Sequence, residues 1–136
     1  MRIIDYICGM KKTILTLILA LLTTISFSQI WADATSLAIG YRDNAGQKFT
    51  WGETKQLTET IPVKIQDNEI TVFTENIQYY QTLKPEYQTE DGNGFYWFAV
   101  DSNRKRCKFY MYGGDNTNLI IIEYDDVCII YAVIYR

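Results

Sequence analysis

Downstream of residue 28 the chain alternates. Leu37, Ile39 and Tyr41 are spaced by small neighbours, Phe49 and Trp51 by Thr50, and Ile61, Val63 and Ile65 by Pro62 and Lys64. Ile70 with Val72 and Ile77 with Tyr79 continue the pattern. Phe95 to Val100, Cys107 to Tyr112, Leu119 to Tyr124 and Cys128 to Tyr135 complete it. A period of two puts successive side chains on opposite sides of a strand, and the wider spacing of an amphipathic helix is nearly absent. Ile, Val, Thr, Tyr and Phe also suit a pleated surface. About nine short strands at this spacing predict an all-β domain, an antiparallel meander closed into a small barrel or folded into a sandwich.

The punctuation agrees. Asp43-Asn44-Ala45-Gly46, Asp67-Asn68, Asp91-Gly92-Asn93-Gly94, Asp101-Ser102-Asn103, Gly113-Gly114-Asp115-Asn116 and Asp125-Asp126 separate the runs. Such residues tolerate the positive φ that tight hairpin turns demand. Pro62 has no amide to donate, which predicts an edge position or a neighbouring bulge for its strand. Residues 84–94 read as the one long loop. Leu119 to Ile122 and Cys128 to Ile134 are apolar on both faces, so both faces are expected to be covered. The cover would be the segment Ile30 to Ala34, the long loop, or a second copy of the protein.

Residues 1–28 follow another logic. Lys11 and Lys12 precede an apolar run from Thr13 to Ile25, and Ser26 and Ser28 put small residues three and one before a cut ahead of Gln29. This is the three-part grammar of a secretory signal: an apolar helix enters the translocon, the lysines stay behind, and small side chains fit the peptidase. The run is too short to span a bilayer, which takes about 20 apolar residues. The expectation is a cleaved signal over 1–28, a single all-β domain over 29–136, a periplasmic or extracellular address, and no membrane span after cleavage. Met10, directly before the lysines, is the better start than Met1.

Charge and composition narrow the chemistry. The full chain carries a formal charge of −3, and losing residues 1–28 leaves about −5. An acidic domain repels nucleic-acid phosphate, so no nucleic-acid partner is expected. The basic cluster Arg104-Lys105-Arg106 with Lys108 reads as a solvated hairpin turn. Histidine is absent, which removes Ser-His and Cys-His nucleophiles, histidine acid–base catalysis and most zinc sites. A carboxylate pair, as in glycoside hydrolysis, is the remaining catalytic route, but most acids sit in the turns. Asp91-Gly92-Asn93 and Asp101-Ser102-Asn103 place oxygens at alternate positions, as calcium loops do, yet lack the closing bidentate Glu. No catalytic residue, metal site or cofactor is assigned.

Ten tyrosines lie in residues 29–136, several at alternate positions. Tyr and Trp make good contact surfaces because a rigid ring offers area and its polar edge offers hydrogen bonds. If Asp101 pairs with Arg106 across the turn, Trp97 faces Tyr110, Phe95 faces Tyr112 and Ala99 faces Lys108. Tyr96, Phe98 and Val100 then share the other face with Cys107, Phe109 and Met111, an uncharged set that reads as core. This register nominates Phe95, Trp97, Tyr110 and Tyr112 as an exposed binding patch for a protein or a glycan. Cys107 and Cys128 leave a disulfide open. Export favours one, but in a meander the two lie two strands apart, roughly 10 Å at about 4.8 Å per strand, beyond the Cα limit of about 7 Å. A bridge requires their strands to face each other across a sandwich or to be direct neighbours.

The leader from Met10-Lys11-Lys12-Thr13-Ile14-Leu15 to Ser26-Phe27-Ser28-Gln29 resembles those of exported proteins of Bacteroidota-type bacteria. The body, in Ile61-Pro62-Val63-Lys64-Ile65, in Asp101-Ser102-Asn103 before Cys107, and in Ile121-Ile122-Glu123-Tyr124-Asp125, is similar to short uncharacterised exported β-proteins of that group. The resemblance covers most of the chain and implies no activity and no functional residues. The reading is a non-enzymatic binding module outside the cytoplasm. The alternatives are a self-associating structural protein, with a homodimer interface on the aromatic face and the last two strands, and a small carboxylate-based glycosidase.

Overall fold

The computed structural model describes residues 29–114 and 118–136. The expected signal over 1–28 and the start at Met10 lie outside the described residues. The described chain forms nine strands and no helix: β1 Gln29–Tyr41, β2 Thr50–Trp51, β3 Lys55–Gln66, β4 Glu69–Val72, β5 Gln78–Gln88, β6 Gly94–Asp101, β7 Arg106–Tyr112, β8 Asn118–Glu123 and β9 Val127–Tyr135. Eight of them run as an antiparallel meander, β1-β3-β4-β5-β6-β7-β8-β9, and β9 pairs back onto β1. The closing ladder includes Ile129 with Ile39 and Tyr131 with Leu37. That ladder makes the domain a barrel and not a sandwich. β2 is a two-residue strand added to the edge of β1.

Alternation decides what goes inside. Ala32, Ala34, Val63, Ile70, Val72, Tyr80, Ala99, Phe109, Ile120, Ile122, Tyr131 and Val133 turn inward and form one buried cluster. Small and large side chains share the interior, as a narrow barrel requires. The Phe109 ring lies 6.5 Å from that of Tyr80 and 6.4 Å from that of Trp97, so side chains occupy the centre. Each fully buried ring or branched side chain contributes about 1.5–3 kcal/mol. Pro62 sits where it was expected. A bulge between Ala34 and Ser36 adjoins it, and it lies just past the last β3–β4 pair, Val63 with Val72, so no ladder bond needs its missing amide.

Two expectations change. Residues 84–94 are not one long loop, because β5 continues to Gln88 and pairs Tyr87 with Tyr96. Lys84, Pro85 and Glu86 interrupt the alternation, but a bulge between Leu83 and Tyr87, with a cis Lys84–Pro85 bond, absorbs them. Nor does either proposed segment of the chain cover the outer faces of β8 and β9. Ile30 to Ala34 is itself part of the barrel wall, paired to β3 and β9. Ile121 and Ile130 are therefore only half-buried, and Ile134 is 62% exposed.

Candidate functional site

The β6–β7 turn decides which side chains share the outside. The Arg104 N–H donates to Asp101 O at 2.9 Å and the Asp101 N–H to Lys105 O at 3.0 Å, and Arg104 has φ 64°. This is a tight turn over 102–104 ending in a left-handed residue. The Asp101 carboxylate holds it: Oδ1 accepts the Asn103 and Lys105 amides at 2.9 and 2.8 Å, and Oδ2 accepts the Tyr124 hydroxyl at 2.8 Å. The left-handed Arg104 shortens the loop by one residue, so Val100, not Asp101, pairs with Arg106. A slip of one residue turns every side chain of β6 over relative to β7.

The nominated patch is therefore split. Tyr110 and Tyr112 face outward, but Trp97 faces inward with Phe109 and packs against the core. Phe95 pairs with Met111 on the same inner side, near the start of β6, where 46% of it stays exposed. Tyr96 and Phe98, expected in the core, lie outside opposite Tyr110 and Lys108.

What the correct register assembles is an aromatic face on β5, β6 and β7. Tyr87 stacks on Tyr96 at 5.1 Å and 19°, Tyr96 meets Tyr110 at 5.2 Å, and Tyr110 stacks on Tyr112 at 6.1 Å and 14°. Phe98 completes the set edge-on, 5.8 Å from Tyr87 and 6.2 Å from Tyr96. The Lys108 ammonium lies over Tyr96 at 5.8 Å and Phe98 at 5.6 Å, a cation–π contact worth about 0.5–1 kcal/mol on a surface. Tyr112 lies across Gly94, where a Cβ would come within 2.9 Å of its ring. That glycine lets the ring fold onto the sheet. Tyr87, Tyr96, Phe98 and Lys108 were missed because period two groups neighbours within a strand and says nothing about pairing between strands.

Beside the ladder lies a shallow depression of about 480 Å³, lined by Tyr96, Lys108, Tyr110, Tyr112 and the acids Glu90 and Asp91. Burial and the nearby Glu123 carboxylate push the Tyr110 phenol well above its ordinary range, and burial with Asp91 does the same to Tyr112. Both hydroxyls therefore keep their protons and can donate. Because the rings turn their faces toward one another, a partner meets edges and hydroxyls. Comparison with protein-family models, curated proteins and solved structures finds no match.

The other candidate chemistry resolves into turn structure. Asp91 Oδ1 accepts the Thr89 hydroxyl at 2.7 Å and the Asn93 amide at 3.0 Å, and those bonds hold its carboxyl below its ordinary range. At Asp101 burial opposes the charge, but the Lys105 amide, Tyr124 and Asn103 outweigh it. These bonds commit Asp91 Oδ1 and both Asp101 carboxylate oxygens to the turns. Among the described residues no three His, Cys, Asp or Glu side chains gather as a metal site. Asp33, Asp91 and Asp101 are all shifted downward, the opposite of what a general acid needs.

Cys107 and Cys128 are free and buried. Cys107 pairs with Ala99 on the inner face, whereas Cys128 shares an outer row with Glu123 and Gly40. The two thiols lie on opposite sides of the wall. Trp51 covers Gly40, where a Cβ would meet its ring at 2.8 Å. Arg42 donates to Asp125 O and Gln47 O, approaches Glu123 and lies 4.0 Å over the Phe49 ring, anchoring the loop after β1.

Proposed function

We propose that this chain is an exported, non-enzymatic interaction module that docks a protein on Tyr87, Tyr96, Phe98, Tyr110, Tyr112 and Lys108. One observation carries the reading: the barrel interior is already filled by its own apolar set, so this outer aromatic ladder is not needed to fill the core. Monomeric soluble proteins rarely leave such a patch without use. Tyrosine is enriched at protein interfaces for its area and its hydroxyl. Mutual stacking favours a protein over a glycan, since a sugar would need free ring faces. The outer wall of β3–β5 is more polar, with Lys64, Gln66, Glu69 and Gln81 around the exposed Tyr79.

The test is photo-crosslinking in cells that export the chain. Benzoylphenylalanine replaces Tyr96 or Tyr110 on the aromatic face, or Glu69 or Gln81 on the polar wall. Discrete adducts from 96 and 110 and none from 69 and 81 are expected. Equal adducts at all four positions, or none, would remove the proposal. Intact mass of the exported product should show a start at or near Gln29.

A further inference from the structure

The rings of the docking face turn toward one another, and Tyr79 stands apart from them. It lies near the start of β5 on the outer wall, paired with Thr71, and 53% of it is exposed. Among the described residues it takes part in no ring pair and no cation–π contact. Two depressions meet at this side chain. One, of about 490 Å³, lies on the outer wall, where Glu69, Gln81 and Arg104 line it. The other, of about 360 Å³, turns over the rim into the barrel mouth, where Gln78, Asn103 and Ile129 line it. Both share Tyr79, Tyr80, Asp101 and Ser102, so they adjoin as one groove bent over the rim. Each has the size of a small-molecule site, about 300–1,000 Å³.

The polar groups of this groove divide into the committed and the free. Asp101 is held by the turn and by Tyr124, and the Tyr80 hydroxyl donates to Gln78 Oε1 at 2.8 Å. The side chains of Glu69, Gln81, Arg104, Ser102 and Asn103 make no hydrogen bond or ion pair among the described residues. They supply one carboxylate, one guanidinium, two amides and a hydroxyl. A carboxylate accepts twice, a guanidinium donates in pairs, and an amide sets a donor beside an acceptor. Adjacent hydroxyls on a sugar ring match those pairs, and the C–H face of the same ring lies flat on an exposed tyrosine. The one free carboxylate and the one guanidinium balance, so the groove selects no ionic ligand. We propose that the groove around Tyr79 binds a neutral oligosaccharide, one sugar unit stacked on Tyr79 and its neighbours reaching into the two depressions. This is a second site, apart from the docking face. It has the one property that the docking face lacks for a glycan, a free ring face.

One stacked ring and a few exposed hydrogen bonds give a dissociation constant on the order of 1 mM. Amide chemical shifts of the exported, purified, isotope-labelled protein, titrated to about 20 mM sugar, read such binding directly. The probes are maltotriose, cellotriose, mannotriose and N-acetylchitotriose. Shifts with at least one of them, confined to residues 68–69, 76–81 and 101–104, are expected. Tyr79→Ala should weaken that binding about tenfold, Gln81→Ala about threefold, and Tyr79→Phe should keep it within about twofold. Tyr79 and Gln81 are both exposed, so all three variants should keep the urea midpoint of the parent protein. Tyr96→Ala, on the docking face, should leave sugar binding unchanged. No shift with any of the four sugars overturns the proposal, as do shifts that survive Tyr79→Ala at full strength. Shifts centred on Tyr96 and Tyr110 overturn it too, and would return the glycan to the docking face.

Discussion

Ala99 and Phe98 are adjacent and lie on opposite sides of the barrel wall, so one substitution at each tests the register. Ala99 is 1% exposed and pairs with Thr82 and buried Cys107. Ala99→Asp buries a carboxylate there without a cation, at a cost of about 3–5 kcal/mol. Phe98 is 44% exposed, and Phe98→Asp loses two edge-on ring pairs worth about 0.5–1.5 kcal/mol each while gaining a charge beside Lys108. The net cost at 98 is about 1–2 kcal/mol on those figures. Urea denaturation followed by tryptophan fluorescence reports both, since Trp97 packs beside Phe109. With a slope near ~1.5 kcal/mol/M, Ala99→Asp should lower the midpoint by about 2–3 M and Phe98→Asp by about 1 M. The alternative pairing, Asp101 with Arg106, exchanges the two faces of β6 relative to β7. A larger loss at 98 than at 99 would refute the register and the binding face built on it.

Burial pushes the Cys107 thiol up to about 12 and the Cys128 thiol up to about 11, from 9.0. Iodoacetamide at about pH 8 should therefore leave both unmodified in the folded protein and modify both in urea; rapid native labelling would contradict their burial. Because the folded values are the raised ones, this stabilisation is whole below about pH 9 and is lost as pH rises toward 11–12, so urea midpoints should fall across that window. Arg42, 12% exposed, bonds two carbonyls and approaches a carboxylate, so Arg42→Ala should cost about 2–3 kcal/mol and speed amide exchange in residues 43–49. Unchanged exchange would show that Phe49 and Trp51 hold that loop alone.

Much of the fold is legible locally. Ile61-Pro62-Val63-Lys64-Ile65 alternates because one of its faces meets the core and the other meets solvent. Each run from Phe95 to Tyr135 became a strand at nearly the expected bounds. Turns fell on the clusters at 43–46, 67–68, 91–93, 101–103 and 125–126, and Pro62 fell beside a bulge. Period two also grouped Tyr96 with Phe98 and Tyr110 with Tyr112, which the structure keeps.

Pairing is another matter. A strand's period is the same whichever neighbour it takes, so nothing local distinguishes a closed barrel from a sandwich; the ladder between β9 and β1 decides it. Lys84 to Gln88 reads as loop because Pro85 and its charged neighbours break the alternation, and only pairing with β6 carries the strand through the bulge. At the β6–β7 turn, Asn103 is the residue type expected to go left-handed, yet Arg104 does so at φ 64°. The bonds from Asp101 to the Asn103 and Lys105 amides and to Tyr124, a residue 23 positions away, outweigh that local preference. The sequence alone determined most of the strands, most of their turns and which side chains share each strand face. The tertiary structure alone decided which faces meet, because register is set by hydrogen bonds between residues far apart in the chain, and one residue of slip exchanges inside for outside.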